Sequence, residues 1–234
     1  MKILAMSDLH GQFPNINNIK NIDCVFICGD IVPLDIQRKI NKSDEWFKNI
    51  FIPWCQAIDC KQIYLIGGNH DFFMAERDHI INQYLLETKI IYLNNQNAEY
   101  FDEKTGKTWH IFGSPDCHIF GNWAFMYSPN KELEDFKKMS NLCDIMLTHD
   151  AAYGENDICE QNVPWNKHKH IGNPEMLFVL DDRRATNCAP KYHFTGHLHT
   201  TSHKLTDYEG IKTACVSLLD ERYELVYEPL ILNI

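Results

Sequence analysis

Gln62-Ile63-Tyr64-Leu65-Ile66-Gly67-Gly68-Asn69-His70-Asp71 decides how this chain folds. The apolar run bounded by Gly-Gly predicts a buried strand over 62–66. Helical spacing then predicts an amphipathic helix over 73–87. Strand, polar turn and helix in that order form the repeating unit of an α/β fold with parallel strands. The turn itself carries a second message. A Gly-Gly turn that presents Asn69, His70 and Asp71 is a poor way to build a core.

The same pattern recurs on both sides. A strand over Lys2–Met6 ends at Ser7-Asp8-Leu9-His10, and one over 24–28 ends at Gly29-Asp30. Strands over 144–148 and 191–195 end at His149-Asp150 and Gly196-His197-Leu198-His199. Helical periodicity covers 37–58, with a kink or split expected at Pro53, and also 130–139 and 174–184. Further strands are expected at 90–93, at 99–101 and 108–113 as a hairpin, and at 202–206, 213–216 and 223–227. The order predicts one α/β domain over 1–234, with two stacked mixed sheets flanked by helices. Two stretches, 114–127 and 151–172, fit no element and leave strand ends near the polar clusters. Long ordered connections of this kind tend to be functional, so both are expected on the rim of a cleft.

Composition narrows the function. With 44% apolar and 23% charged residues, the 234-residue chain has the make-up of a soluble globular protein. Its formal net charge of −10 argues against long nucleic acid as partner, which calls for a basic stripe. The nine cysteines form no Cys-x-x-Cys pair and several lie in apolar runs, so buried thiols in a reducing compartment are expected. Only Ile3 to Met6 precede Ser7-Asp8 as an apolar run. That is too short for a signal-peptide core, and no stretch reaches the length of a membrane span. The expected location is the cytoplasm, with no membrane partner. The oligomeric state is left open.

In open α/β sheets, ligands bind beyond the carboxyl ends of the strands. Asp8, Asp30, Asn69, His149 and His197 each fall within about two residues of such an end, with His10 and His199 following in the same clusters. Taken singly, each has a plain reading: an Asx turn for Asp8, an ordinary strand end for Gly29-Asp30, a hydrogen-bonded buried histidine for His149. Together they form an oxygen and imidazole set without thiolate. Such a set suits two divalent ions (Mn, Fe, Zn, Co or Mg) better than a structural zinc site. Ions about 3.5–4 Å apart need a shared ligand, and a carboxylate serves well. Asp30, the one ligand in its cluster, is the candidate. Two divalent ions outweigh the charges of Asp8 and Asp30, so an acidic protein can still present a local anion trap for a phosphate ester.

Other eye-catching residues carry less. His168 and His170 read as a solvated polar loop. Trp123, Phe125, Tyr127 and Trp165 read as core or lid packing. His79, His110, His118, His193 and His203 receive no role, and nothing supports Cys117 as a nucleophile.

Asp-x-His, Gly-Asp, Gly-Asn-His-Asp, a later His and Gly-His-x-His, in this order from Asp8 to His199, resemble the calcineurin-like metallophosphoesterases. The resemblance implies a four-layer αββα sandwich with a dinuclear centre at its crest. By the match, Asp8, His10 and His199 hold one ion, Asn69, His149 and His197 the other, and Asp30 bridges. A hydroxide bridging the two metals would attack phosphorus, and His70 would contact the phosphate and protonate the leaving group. Protein phosphatases and dinucleoside polyphosphate hydrolases of this superfamily carry Asp-Arg-Gly after the bridging Asp, where this chain has Pro33-Leu34-Asp35. The Asp that orients the catalytic His there is absent too. Asp71, adjacent to His70, is the candidate for that place, making His70 and Asp71 the expected catalytic residues. Gly113-Ser114-Pro115, Asn122-Trp123-Ala124-Phe125 and the segment 144–149 are similar to the small branch that includes the brain-type metallophosphodiesterases. That branch implies phosphodiester hydrolysis of a small substrate, with nucleotides among the candidates. The alternatives are a nuclease acting on short nucleic acid and a non-catalytic scaffold of the same fold.

Overall fold

Alternation along the strands assigns each side chain to one of two cores. In the computed structural model, which describes residues 1–159, 169–200 and 203–234, the chain opens with β1 (Lys2–Met6) and β2 (Ile22–Cys28). Helix α1 (Ile40–Trp46), a π-helical turn at Phe47–Phe51 and α2 (Ile52–Ala57) lead into β3 (Cys60–Ile66). Helices α3 (Phe72–Glu76) and α4 (Asp78–Tyr84) precede β4 (Ile90–Tyr92). Leu4, Met6, Val25, Ile27, Ile63 and Leu65 point to the helices, where Phe47, Phe51 and Phe73 cover them. Ile3, Ala5, Cys24, Phe26, Cys28, Tyr64 and Ile66 point the other way, into the space between two sheets.

The second sheet supplies the opposite wall. Its members are β5 (Gln96–Asp102), β6 (Lys107–Ser114) and, after α5 (Pro129–Phe136), β7 (Ile145–Thr148). A short hairpin of β8 (Ile158–Cys159) and β9 (Lys169–His170) comes next, then α6 (Pro174–Ala185) and β10 (Tyr192–Thr195). The chain closes with β11 (Thr206–Tyr208), β12 (Ile211–Cys215) and β13 (Leu230–Asn233). Trp109, Ile111, Ile145, Leu147, Phe194 and Ala214 face the first sheet, with the rings of Phe26 and Phe194 stacked 5.8 Å apart across the interface. Phe112 and Met146 face outward beneath Phe136, Met176, Val179 and Leu180 of α5 and α6. The result is four layers: helices, sheet, sheet, helices.

Both sheets are mixed. The first has the order β13-β1-β2-β3-β4 and the second β11-β12-β10-β7-β6-β5. The central pairs are parallel, while β13, β11 and β5 run antiparallel at the edges. The sheets meet where β1 and β12 end: Ser7 pairs with Ser217, and Leu218 N–H donates to the Ser7 carbonyl at 3.0 Å. The carboxyl ends of strands from both sheets therefore converge on one crest.

Several elements depart from the expected ones. Pro53 does not split its helix but is preceded by a π turn, in which Ile52 N–H reaches back to the Phe47 carbonyl. The wider turn accommodates a ring that would otherwise strike the carbonyl four residues back. The helix expected over 73–87 breaks in two at Arg77, whose backbone leaves the helical region (φ −115°, ψ 24°) while its guanidinium pairs with Asp44 at 2.7 Å. The strand expected at 202–206 begins only at Thr206, with residue 202 outside those described. The strand expected at 223–227 is reduced to one antiparallel bridge, Leu225 to Leu219, after a turn at 220–223. Tyr223 adopts φ 60°, and the N–H groups of Val226 and Tyr227 both reach the Leu218 carbonyl. The half-exposed edge strand β13, absent from the expectation, closes the first sheet.

A buried carboxyl in this fold gives stability a predictable pH dependence. Burial pushes Asp116 up to about 8, against a hydrogen bond from Asn95 and with the charge of Asp135 beside it. Asp135, despite its own burial, is held low by Lys131 and Lys138. The native state thus keeps a proton on Asp116 that an unfolded chain releases near pH ~4. Its stabilising contribution is complete below that point and is lost as pH rises through about 8. Glu132, pushed up by burial to about 7, acts in the same direction. Asp116→Asn should therefore shrink the fall in Tm between about pH 5 and about pH 8.5. Equal falls for variant and wild type in thermal melts would show that Asp116 does not contribute.

Candidate functional site

Four of the polar residues at the crest sit in left-handed backbone that side chains rarely adopt: Asp8 (φ 54°), His10 (42°), Asp30 (53°) and His197 (67°). Non-glycine residues hold such conformations only where the surroundings impose them, and they concentrate at functional sites. Each turns the chain sharply at or just beyond a strand end. Two glycines let the pieces close. A Cβ on Gly68 would lie 2.3 Å from Asp30 Oδ1, and one on Gly196 would lie 2.1 Å from Ser7 Oγ.

Of the residues read as ligands, Asp8, His10, Asp30, His149 and His199 converge, with His70 among them, while His197 enters none of the three groups they form. Three overlapping groups (Asp8, His10 and His199; His10, Asp30 and His70; Asp8, Asp30 and His149) each bring their nitrogen and oxygen atoms within 4.8 Å of one another. Asp30 stands at the centre, with Oδ2 3.3 Å from His149 Nε2, 3.8 Å from His10 Nε2 and 3.9 Å from His70 Nε2. Asn69 Oδ1 lies 2.9 Å from His149 Nε2. His197 packs against His149 with ring centroids 5.2 Å apart, and its N–H donates to Asp8.

Hydrogen bonds behind the histidines select which nitrogen faces inward. His149 Nδ1 donates to the Cys28 carbonyl and His199 Nδ1 to the Asp220 carbonyl, both at 2.8 Å. A carbonyl can only accept, so Nε2 is the nitrogen turned toward the carboxylates, an arrangement typical of metal-binding histidines. His10 differs: it is 5% exposed, and neither ring nitrogen has a hydrogen-bond partner among the described residues. Burial drives the imidazoles of His10 and His197 down to about 4, so both are neutral at pH 7. Burial would do the same to His149, but Asp30 beside it raises this residue to about 10. Against its own burial, Asp8 raises His199 to about 9. Asp8 and Asp30 stay well below the usual carboxylate range despite burial, through the same histidines. Two anionic carboxylates, inward-facing imidazole nitrogens and a buried imidazole without a hydrogen-bond partner form a donor set that fits divalent cations, which bind as the raised histidines release their protons.

Asp71 does not stand where the sequence reading puts it. Its carboxylate is fully buried and accepts from the backbone N–H groups of Ile31, Val32 and Gly68 at 2.9–3.3 Å. It braces the loops that carry Asp30 and Asn69 and makes no hydrogen bond to His70. Instead His70 Nδ1 meets Gln37 Oε1, and Trp123 stacks on the His70 ring at 4.5 Å. Ser217 donates to Asp8 Oδ2 at 2.6 Å, and the Tyr223 ring meets the His10 edge at 5.0 Å. Of Gln37, Trp123, Ser217 and Tyr223, only Trp123 belongs to a motif read in the sequence, Asn122-Trp123-Ala124-Phe125.

The cluster opens into a cleft of about 690 Å³. Its walls include Phe120 and Trp123 from one expected rim segment, and Tyr153, His170 and Gly172 from the other. His118, given no role from the sequence, also lines it, held by Asp150 at 2.6 Å. His170 is similarly paired with buried Asp157. Trp165 and His168 lie outside the described residues. Phe125 is core, packed where a Cβ on Gly67 would collide with it. Cys117 is buried and its thiol is pushed far up by that burial, which leaves it no nucleophilic character.

No curated protein matches the sequence. Among solved structures, one chain superposes with a TM-score of 0.67 at 12% identity, over 92% of this chain and 89% of its own. A phosphopantetheinyl hydrolase from Mycobacterium tuberculosis is 14% identical over 95% of this chain and 90% of that one, with a TM-score of 0.50. A dimetal phosphatase from Danio rerio is 11% identical over 94% and 87%, also at 0.50. At such identities the likeness is one of fold. The family model of calcineurin-like phosphoesterases, however, matches residues 1–201, a span that takes in every one of the clustered motifs. The chain belongs to the calcineurin-like phosphoesterase family and is a metal-dependent hydrolase of phosphoric esters.

Proposed function

We propose that this hydrolase uses two divalent ions and acts on a small phosphodiester in preference to a monoester. Asp8, His10 and His199 would hold one ion and Asn69, His149 and His197 the other, with Asp30 shared. The single observation that carries this reading is His10. A buried polar group without a partner costs about 1–3 kcal/mol, and a cation is the partner that His10 lacks among the described residues. Bound there, the ions (Mn, Fe, Zn, Co or Mg) would supply positive charge for the phosphate oxygens and acidify water to a nucleophile.

The chain's own residues do the rest. Asp8 is kept anionic and oriented by Ser217 and by the N–H of His197. His70, at the cleft wall, is the candidate to protonate the departing oxygen. A cleft of about 690 Å³ suits a small molecule, a nucleotide among the candidates. We take 1–234 as one domain, since β13 pairs with β1. Cys24, Cys28, Cys55, Cys117 and Cys143 are buried thiols, which supports a cytoplasmic location. Among the described residues, no helix is long and apolar enough to cross a membrane.

Purified protein supplied with each metal in turn should hydrolyse bis-p-nitrophenyl phosphate faster than p-nitrophenyl phosphate. Chelation should abolish both activities and metal should restore them. Turnover that survives exhaustive chelation would refute the metal-dependent reading, and faster monoester cleavage would refute the preference.

A further inference from the structure

We propose that Gln37 is the positioning residue of His70, and that it sets which ring nitrogen faces the substrate. The inference rests on the reading of His70 as proton donor to the leaving group. Three observations carry it. Asp71, the adjacent carboxylate, is engaged by the backbone N–H groups of Ile31 and Val32 and by that of Gly68 in its own loop. Asp30 Oδ2 is 3.9 Å from His70 Nε2, too far for a hydrogen bond. Gln37 Oε1, by contrast, is in direct hydrogen-bond contact with His70 Nδ1. An amide oxygen only accepts, so Nδ1 carries a hydrogen and Nε2 is the nitrogen left toward the metal cluster and the cleft.

The surroundings make Gln37 a device and not a chance contact. It lies in a tight turn in which Ile36 N–H reaches the Pro33 carbonyl (3.1 Å) and Lys39 N–H the Ile36 carbonyl (2.7 Å). The next residue, Arg38, lies over the Trp123 ring at 4.8 Å and donates to the Asn122 carbonyl at 2.9 Å. Trp123 in turn stacks on His70. Gln37 thus fixes the imidazole within its plane, while Arg38 and Trp123 keep it from tilting out of that plane. Gln37 and Arg38 sit just beyond Pro33-Leu34-Asp35, the stretch that stands in place of Asp-Arg-Gly, and Trp123 comes from the 114–127 segment.

In the step this serves, a water-derived hydroxide adds to phosphorus and the bond from phosphorus to the leaving oxygen breaks. The bonding pair stays on that oxygen, which takes the Nε2 proton. His70 is left neutral and regains a proton from water. A poor leaving group needs that proton, whereas p-nitrophenolate leaves readily without it.

The test compares Gln37→Leu, Gln37→Glu and His70→Ala on diphenyl phosphate and bis-p-nitrophenyl phosphate, with metal content measured for each. Gln37→Leu should lower kcat on diphenyl phosphate by about a hundredfold, the scale of loss when a catalytic group is misplaced. On bis-p-nitrophenyl phosphate its loss should be under about fivefold, and Gln37→Glu, which keeps an acceptor, should restore most of the diphenyl activity. His70→Ala should show the same selective loss in stronger form. If His70→Ala is selective but Gln37→Leu lowers both substrates equally or neither, Gln37 does not position His70 and the reading of His70 stands. If His70→Ala itself is unselective, His70 is not the proton donor and the inference falls with it.

Discussion

Asp30→Asn should bind fewer than two metal ions and lose at least about 10²–10³-fold in kcat, the scale of removing one electrostatic stabiliser from an active site. Asp30 is 2% exposed, and its Oδ2 faces three imidazole nitrogens within 3.3–3.9 Å. Its other oxygen is occupied by the N–H of His70 at 2.7 Å. An amide at this position can keep the contact to His70 N–H. It cannot carry the negative charge two cations would share, and its NH2 would confront the inward nitrogen of His149. Metal analysis of the purified variant beside its turnover is the measurement. A variant with two ions and full activity would remove Asp30 from the centre of the site.

His70→Ala should behave oppositely with respect to metal: both ions retained, but turnover of a poor leaving group lowered by about 10²–10⁴-fold, the range for loss of a general acid. The separation follows from position. His70 shares a wall of the cleft with Trp123 and is held from behind by Gln37, while Asn69 beside it turns toward His149. Neighbouring residues on one turn thus face different tasks. Loss of metal from His70→Ala would move this residue into the ligand set.

These expectations show what a sequence exposes and what it hides. Residues that bear the chemistry are legible because few side chains can do their work. Asp8, Asp30, Asn69 and the histidines must supply oxygen or imidazole, and strand ends are where they can meet. Strands in the sheet interiors were readable for a similar reason, since residues buried on both faces leave continuous apolar runs. The half-exposed β13 left no such run, and the alternation at 223–227 belongs to a segment that follows a turn and folds back on Leu218 and Leu219, placing Tyr223 against His10. The supporting residues escaped entirely. Gln37, Ser217 and the Asp220 carbonyl act through hydrogen bonds that many residue types could make, so no spacing announces them. Asp71 erred the other way. Its place beside His70 in the chain suggested partnership, but side chains adjacent on a turn diverge, and Asp71 points back into the loops it braces.

The central claim is that two cations sit on either side of Asp30. Crystals grown with manganese and measured for anomalous scattering test it directly. Two peaks about 3.5–4 Å apart, one near Asp8, His10 and His199 and the other near Asn69, His149 and His197, are the predicted result. A single peak, or two that do not share Asp30, would contradict it.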